Sequence, residues 1–172
     1  MVCCMDRDLK EFVVFDLETT GIGRTEQITE IGAVKVEYGE FTGRFSQLVN
    51  PGRPIPYPVA RLTGITDELV RDCPRIEEVL PSFIEFIGEL PLIAHNAPFD
   101  CGFLYRDAAR LGYTLTQPVV DTLRLARRVW PKLPSYKLCA LTDCFCISQS
   151  DAHRAWCDAE ATAKLYLMMK TR

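Results

Sequence analysis

The sequence predicts an α/β protein built on a mixed sheet of about five strands flanked by helices. Three segments with strand character come first, and the short connections between them favour an antiparallel meander. Helical and strand patterns then alternate to the end of the chain, which is typical of a sheet covered by helices. The length of 172 residues fits one domain of this kind.

The three leading strands are indicated by runs of β-branched and aromatic residues. The first covers Glu11 to Leu17 and has the character of a buried strand, because valine and phenylalanine dominate it. The second runs from Gln27 to Tyr38, Gly39 provides the turn, and Glu40 to Val49 forms the third. The next segment, Asn50 to Pro58, contains four prolines and is predicted to be a rigid loop.

Helix signals dominate the rest of the chain. Thr66 and the two acidic residues after it can begin a short helix, and Asp121 can cap a later one. Longer helices are predicted at Ile76 to Ile87, Pro98 to Leu111, Ser135 to Phe145 and Ala155 to Lys170, with strands at Leu90 to Ala94 and at Val119 to Val120.

The composition is that of an ordinary soluble protein, with 48% hydrophobic and 25% charged residues. No apolar run is long enough to span a bilayer, and residues 1–8 lack the apolar stretch of a signal peptide. We therefore expect a cytoplasmic protein with no membrane partner. Residues 1–10 are expected to be a poorly ordered extension, and residues 11–172 a single domain.

The formal net charge of -3 argues against a protein that binds nucleic acid passively, although not against an enzyme whose acidic site is neutralised by metal ions. Basic residues nevertheless cluster in one stretch, interleaved with Trp130 and Tyr136. They are Arg124, Arg127, Arg128, Lys132 and Lys137. This stretch either follows a phosphate backbone while its rings stack on bases, or is a solvated helix face with two packed aromatic residues.

The chain has eight cysteines, which we expect to be reduced in the cytosol. Several of them lie close together with a histidine near the end of the chain. These residues are Cys139, Cys144, Cys146, His153 and Cys157. Their spacing matches no common zinc module, so another use of His153 is better supported.

Acidic residues in three separate patches suggest catalytic chemistry. Asp16 and Glu18 alternate along the first strand and therefore point to the same face. Asp100 and Asp158 each fall in the first turn of a predicted helix, where the helix dipole stabilises an anion. Each acid alone has an ordinary structural explanation. Together, the four carboxylates can hold two hard divalent cations.

The two histidines are given different roles. His153 precedes Asp158 by five residues, and an imidazole there can accept a proton from an activated water. His95 ends a predicted strand and is expected to support the following loop by hydrogen bonding. These residues, with the acids, predict a metal-dependent nuclease.

The three patches resemble the three motifs of the DnaQ-like, or DEDD, exonuclease superfamily. The resemblance runs from about Phe12 to Met168, and a histidine five residues before the last aspartate is typical of the DEDDh branch. Within that branch, Asp16 to Gly21, Leu62 to Thr66 and Ser135 to Leu138 are most similar to the proofreading exonucleases. Those are the epsilon subunit of DNA polymerase III and the exonuclease domain of PolC-type polymerases.

The resemblance implies a ribonuclease H-like fold and a 3′–5′ exonuclease that releases nucleoside 5′-monophosphates, mainly from single-stranded DNA. It also implies two Mg²⁺ or Mn²⁺ ions and His153 as the proton acceptor. The implied metal ligands are Asp16, Glu18, Asp100 and Asp158. The implied contacts to the terminal nucleotides are Thr19, Thr20, Leu62, Asn96 and Phe99.

Two further expectations follow. Glu30 is the family's usual glutamate in an otherwise apolar strand face, and we expect it to make a structural hydrogen bond, since a bare buried carboxylate is costly. The chain ends soon after its last helix and lacks the tail by which epsilon-type subunits attach to a DNA polymerase, which suggests a free-standing nuclease or one docked to a polymerase through its globular surface. A 3′–5′ exoribonuclease and a non-catalytic nucleic-acid or zinc-binding module remain alternatives, and the oligomeric state is not predicted.

Overall fold

The computed structural model describes residues 9–148 and 154–171. The strands are β1 (Glu11–Thr19), β2 (Ile28–Glu37), β3 (Glu40–Leu48), β4 (Leu92–Ala94) and β5 (Val119–Asp121). The helices are α1 (Tyr57–Thr63), α2 (Asp67–Val70), α3 (Ile76–Ile87), α4 (Ala97–Arg110), α5 (Thr122–Val129), α6 (Leu138–Cys144) and α7 (Ala155–Lys170). Most of the predicted N-terminal extension lies outside the described residues.

The five strands form one mixed sheet in the order β3-β2-β1-β4-β5. Strands β1, β2 and β3 pair antiparallel, whereas β4 and β5 run parallel to β1. The predicted α/β class and the antiparallel meander are therefore confirmed. Because β1, β4 and β5 are parallel, their carboxyl ends meet at one edge of the sheet.

Helices cover both faces of the central strand β1. Phe15 packs on one face against Phe83 of α3, with their ring centroids 6.1 Å apart. Phe12 packs on the other face against Tyr166 of α7, with the rings 5.0 Å apart and edge to face. Since side chains alternate along a strand, Asp16 and Glu18 share the face of Phe12, which is the face that α7 covers.

Helix α7 approaches β2 closely enough to touch its backbone. A Cβ atom added to Gly32 would lie 2.0 Å from the backbone nitrogen of Trp156 and 2.1 Å from the carbonyl carbon of Ala155. Only glycine leaves room for such an approach. The first turn of α7 is consequently seated directly on the sheet beside the end of β1.

Two helices differ from the sequence prediction. The proline-rich segment was predicted to remain a loop through Pro58, but α1 begins at Tyr57. Proline fits the first helical turn, where its missing N–H is not needed, so the segment starts a helix that Gly64 closes in the left-handed conformation. Helix α6 begins at Leu138 rather than Ser135, because Lys137 is extended. None of the described helices has the length and apolar character required to cross a membrane.

Candidate active site

Three carboxylates converge at the carboxyl end of β1. Asp16 and Glu18 come from the strand, and Asp158 comes from the first turn of α7. One oxygen from each lies within 4.8 Å of the others, and all three residues are half-buried. This carboxylate group has the hard oxygen donors that Mg²⁺ and Mn²⁺ prefer.

The fourth acid, Asp100, is connected to the same strand by a hydrogen bond. Its Oδ1 accepts from the backbone N–H of Leu17 at 3.1 Å, and the side chain is buried. Leu17 lies between Asp16 and Glu18, so this bond holds the first turn of α4 against the carboxylate group. The structure therefore brings the predicted acids of all three motifs to one place.

The crowding of these acids disfavours their charged forms. Burial, followed by the charges of Asp100 and Asp158, raises the pKa of Asp16 well above its ordinary value. Burial and the charge of Asp158 raise the pKa of Glu18 to about 8. Burial raises the pKa of Asp100 to about 7 against the hydrogen bond from Leu17, which lowers it. A divalent cation among these oxygens would offset the repulsion, so the residues fit a metal ion.

Glu30 anchors the start of α7. It lies opposite Glu18 in the β1–β2 pairing and is fully buried. Nε and Nη2 of Arg154 donate to its Oε1 at 3.0 and 2.8 Å, and the backbone N–H of Ala155 donates to its Oε2 at 3.1 Å. The predicted structural role of Glu30 is confirmed. These bonds join β2 to the helix that carries Asp158.

His153, the predicted proton acceptor, lies outside the described residues. Its chain neighbour Arg154 is the residue held by Glu30. The catalytic role of His153 stays a prediction.

The two threonines predicted to contact substrate use their hydroxyls within the protein. Thr19 Oγ1 donates to the carbonyl of Gly21 at 2.7 Å. Thr20 Oγ1 donates to Glu26 Oε2 at 2.5 Å and accepts from the backbone N–H of Gln27 at 3.0 Å. Both side chains are buried, and their bonds shape the loop that follows β1. Direct contacts from these two residues to a nucleotide stay a prediction.

The other predicted substrate residues are more accessible. Leu62 on α1 is exposed, and Asn96 is exposed in a left-handed conformation whose N–H donates to Asp121 Oδ1 at 3.0 Å. Phe99 is half-buried and lines a cavity of about 440 Å³. Ile22, which was not among the predicted site residues, lines the same cavity and is 91% exposed. The sequence feature that could have identified this residue is the occurrence of an isoleucine within a glycine-rich polar loop.

His95 supports the adjoining loops, as predicted. Its Nε2 donates to the carbonyl of Tyr136 at 2.8 Å, and its Nδ1 lies 2.9 Å from Thr122 Oγ1. Burial lowers the pKa of His95, which favours the neutral form of the ring. The imidazole therefore joins the end of β4 to the segment before α6.

The late cysteines do not form a metal group within residues 9–148 and 154–171. Within those residues, the acidic, cysteine or histidine side chains that lie close enough together to hold a metal ion are Asp16, Glu18 and Asp158. Cys157 is buried in α7, whereas three cysteines around α6 are exposed. The described cysteines thus provide no support for the zinc alternative.

The sheet order and the carboxylate group define a ribonuclease H-like nuclease. The RNase_T family, described as exonuclease, matches residues 13–166. The chain belongs to this exonuclease family, and the predicted membership is confirmed.

Individual relatives agree with this assignment. The chain is 47% identical over 156 residues to the PolC-type DNA polymerase III of Clostridium perfringens, a match that covers 90% of this chain and 11% of the relative. It is 51% identical over 162 residues to a protein of Mycobacterium tuberculosis whose name describes a putative bifunctional exonuclease/endonuclease, covering 88% of this chain and 25% of the relative. The chain thus spans a quarter or less of the length of these two relatives.

A solved structure of similar length is that of Exonuclease X in complex with 5′ overhanging duplex DNA. It matches with a TM-score of 0.76 and 31% sequence identity, covering 93% of this chain and 91% of that chain. The similarity therefore extends over nearly the whole exonuclease fold.

Proposed function

We propose that this chain is a divalent-metal-dependent 3′–5′ exonuclease that releases nucleoside 5′-monophosphates, mainly from single-stranded DNA. The observation that supports it best is the convergence of Asp16, Glu18 and Asp158 within 4.8 Å at the end of β1. A binding module has no need for such a cluster of mutually repelling acids.

The proposed roles follow from the positions of the side chains. Asp16, Glu18 and Asp158, with Asp100 beside them, would hold two Mg²⁺ or Mn²⁺ ions. Such ions supply positive charge to a phosphodiester and acidify water. His153 would accept the proton of the attacking water, and Asn96 and Phe99 would contact the terminal nucleotide.

DNA is proposed as the substrate because the relatives concern DNA. The PolC-type relative is named as a DNA polymerase, and Exonuclease X was solved with a duplex that has a 5′ overhang. A single strand and a duplex with a recessed 3′ end are therefore both substrates to test. A DNA polymerase or an endonuclease is the kind of partner that the two longer relatives suggest.

The test is degradation of a 5′-labelled single-stranded DNA with Mg²⁺, with Mn²⁺ or with chelator. The wild-type protein should produce a ladder that shortens from the 3′ end and that chelator abolishes. Asp16→Ala should remove this activity, and His153→Ala should reduce it by about 10²- to 10⁴-fold. Asp72→Ala, which changes an exposed acid in a turn, is the matched control and should retain full activity.

The outcomes separate the alternatives. Retained nuclease activity in a clean Asp16→Ala preparation would disprove the metal site. If a matched RNA is degraded faster than the DNA when the two compete, the preferred substrate is RNA and not DNA. A folded wild-type protein that degrades neither would favour the non-catalytic module.

A further inference from the structure

The basic stretch noted in the sequence contributes to a second cavity. Arg127 lies on α5 and Lys137 lies just before α6, and both side chains are exposed. They line a cavity of about 420 Å³ together with Asn96 and Tyr136. We refer to this cavity, lined also by His95, Leu123 and Leu138, as the basic cleft.

The basic cleft lies at the same edge of the sheet as the carboxylate group. It is lined by His95 and Asn96, which directly follow β4, and β4 pairs in parallel with β1. Val14 pairs with Ile93, so the strand register places Asp16 and His95 at the same level. A nucleic-acid strand whose 3′ end reaches the carboxylates can therefore extend into the basic cleft.

The cleft is organised before any ligand binds. His95 holds the carbonyl of Tyr136, and the hydroxyl of Tyr136 donates to the carbonyl of Trp130 at 2.5 Å. The guanidinium of Arg127 lies 5.7 Å from the centre of the Tyr136 ring. These contacts fix the ring and the backbone beside Lys137, so little ordering is required when an anion binds.

The cationic groups of the cleft are available for an anion. Across residues 9–148 and 154–171, neither Arg127 nor Lys137 forms a salt bridge with a carboxylate. The chain as a whole is acidic, with a formal charge of -3, and its carboxylates repel a phosphate backbone. A nucleic-acid strand must therefore be attracted by local cationic side chains. Arg127 and Lys137 lie in the cleft beside the carboxylate group and can provide this attraction.

We propose that the basic cleft binds backbone phosphates of the substrate strand on the 5′ side of its terminal nucleotide, with Arg127 and Lys137 as donors. The proposal rests on the proposed exonuclease function. Arg127 and Lys137 would thus determine the affinity for the substrate strand, whereas the carboxylate group would carry out the hydrolysis.

Two substrates of different length test this assignment. One is a long single-stranded DNA, and the other is the p-nitrophenyl ester of thymidine 5′-monophosphate, which has a single phosphate and no strand beyond it. Arg127→Gln and Lys137→Gln should each raise KM for the DNA by about tenfold and leave kcat within about twofold. Both variants should hydrolyse the ester at the wild-type rate.

The salt dependence provides a second readout that a general loss of folding would not produce. A plot of log(kcat/KM) against log[salt] has a negative slope, and each lost phosphate contact should make this slope shallower by about 0.7 for a single strand. Arg124→Gln is the matched control, because Arg124 lies exposed on the same helix without lining the cleft, and its KM and slope should match the wild type.

An unchanged KM and slope for Arg127→Gln and Lys137→Gln would overturn the proposal. An equal loss on DNA and ester would also overturn it, because the cleft would then serve the terminal nucleotide. Failure of the proposed function is distinguishable, since the wild-type protein would then hydrolyse neither substrate.

Discussion

At the scale of single residues, the carboxylates show how position gives ordinary acids a joint function. Asp100 illustrates this well, because acids are common in the first turn of a helix. Here its Oδ1 also accepts from Leu17 N–H, and burial raises its pKa to about 7. The residue therefore combines a structural hydrogen bond with a charge that a metal ion can use.

The variant Asp100→Asn should separate these two contributions. The new amide keeps an oxygen that can accept from Leu17, so at about pH 4, where Asp100 is protonated in the folded protein, the free energy of unfolding without metal should change by less than about 1 kcal/mol. Exonuclease activity should fall by at least about 100-fold, because the proposed metal ligand loses its charge. Denaturant unfolding and the labelled-DNA assay measure the two effects.

Asp100→Ala is the comparison variant, since it removes both the charge and the acceptor. It should lose activity and also be destabilised by about 1–3 kcal/mol, because the Leu17 N–H loses its partner. Equal stability of the alanine and asparagine variants would contradict a structural role for the bond, and wild-type activity in the asparagine variant would contradict the metal role.

At the scale of elements, the position of α7 determines whether the site exists. Asp158 can join Asp16 and Glu18 only if the first turn of α7 lies against the end of β1. Two features secure that contact: the absent side chain at Gly32 and the bonds from the start of α7 to Glu30. The strand residues that position Asp158 are therefore remote from it in sequence.

Glu30→Gln should weaken this anchor without creating a cavity. The glutamine cannot reproduce two charge-assisted bonds to Arg154, so we expect a loss of about 1–3 kcal/mol in stability. The Mg²⁺ concentration for half-maximal activity should also rise, because Asp158 is held less firmly. Denaturant unfolding and metal titrations of the activity provide the measurements.

Glu160→Gln is a suitable control for that variant. Glu160 lies on the same helix and pairs with Lys164 at 2.6 Å, but its side chain is more exposed than that of Glu30. Its loss should cost less than about 0.5 kcal/mol and leave the metal requirement unchanged. If Glu30→Gln behaved like this control, the anchoring role of Glu30 would have to be abandoned.

At the scale of the whole molecule, the site is a source of instability when no metal is bound. The folded state raises the pKa of Glu18 from 4.5 to about 8 and that of Asp100 from 3.8 to about 7. Acids with raised pKa values bind protons more tightly in the folded protein than in the unfolded chain. Their contribution to stability is present below the unfolded values and is lost as the pH rises through the folded ones.

The metal-free protein should therefore lose stability between about pH 4 and pH 8. We expect its Tm to fall by roughly 5 °C or more across this range. Mg²⁺ should restore stability most strongly at the alkaline end, where its ligands are deprotonated and binding favours the folded state. Thermal melts in chelator and in Mg²⁺ at a series of pH values measure both effects.

Glu18→Gln is the control for the pH dependence, since glutamine does not titrate. This variant should show a flatter Tm profile in chelator and a smaller response to Mg²⁺. A wild-type Tm in chelator that rises steadily from about pH 5 to pH 8 would contradict the raised pKa values.

Much of the architecture could be predicted because its signals are local. The valine- and phenylalanine-rich run of β1 and the helical spacing of Ile76–Ile87 reflect burial, and the structure has a strand and a helix where those patterns predict them. The start of α1 was missed because prolines are taken as loop formers, although the first turn of a helix accepts them. The acidic motifs were identified because their residue types and order resemble those of an exonuclease family.

By itself, the sequence determined most of the elements, the family and the acids expected to act together. Only the tertiary structure decided how they meet: Asp158 beside Asp16, Glu30 bonded to Arg154, and Arg127 lining one cleft with Lys137. The physical reason is that local patterns report which face of an element is buried, whereas contacts between distant residues depend on how elements pack. Here the packing of α7 and α5 against one edge of the sheet places the candidate metal site beside the proposed strand-binding cleft.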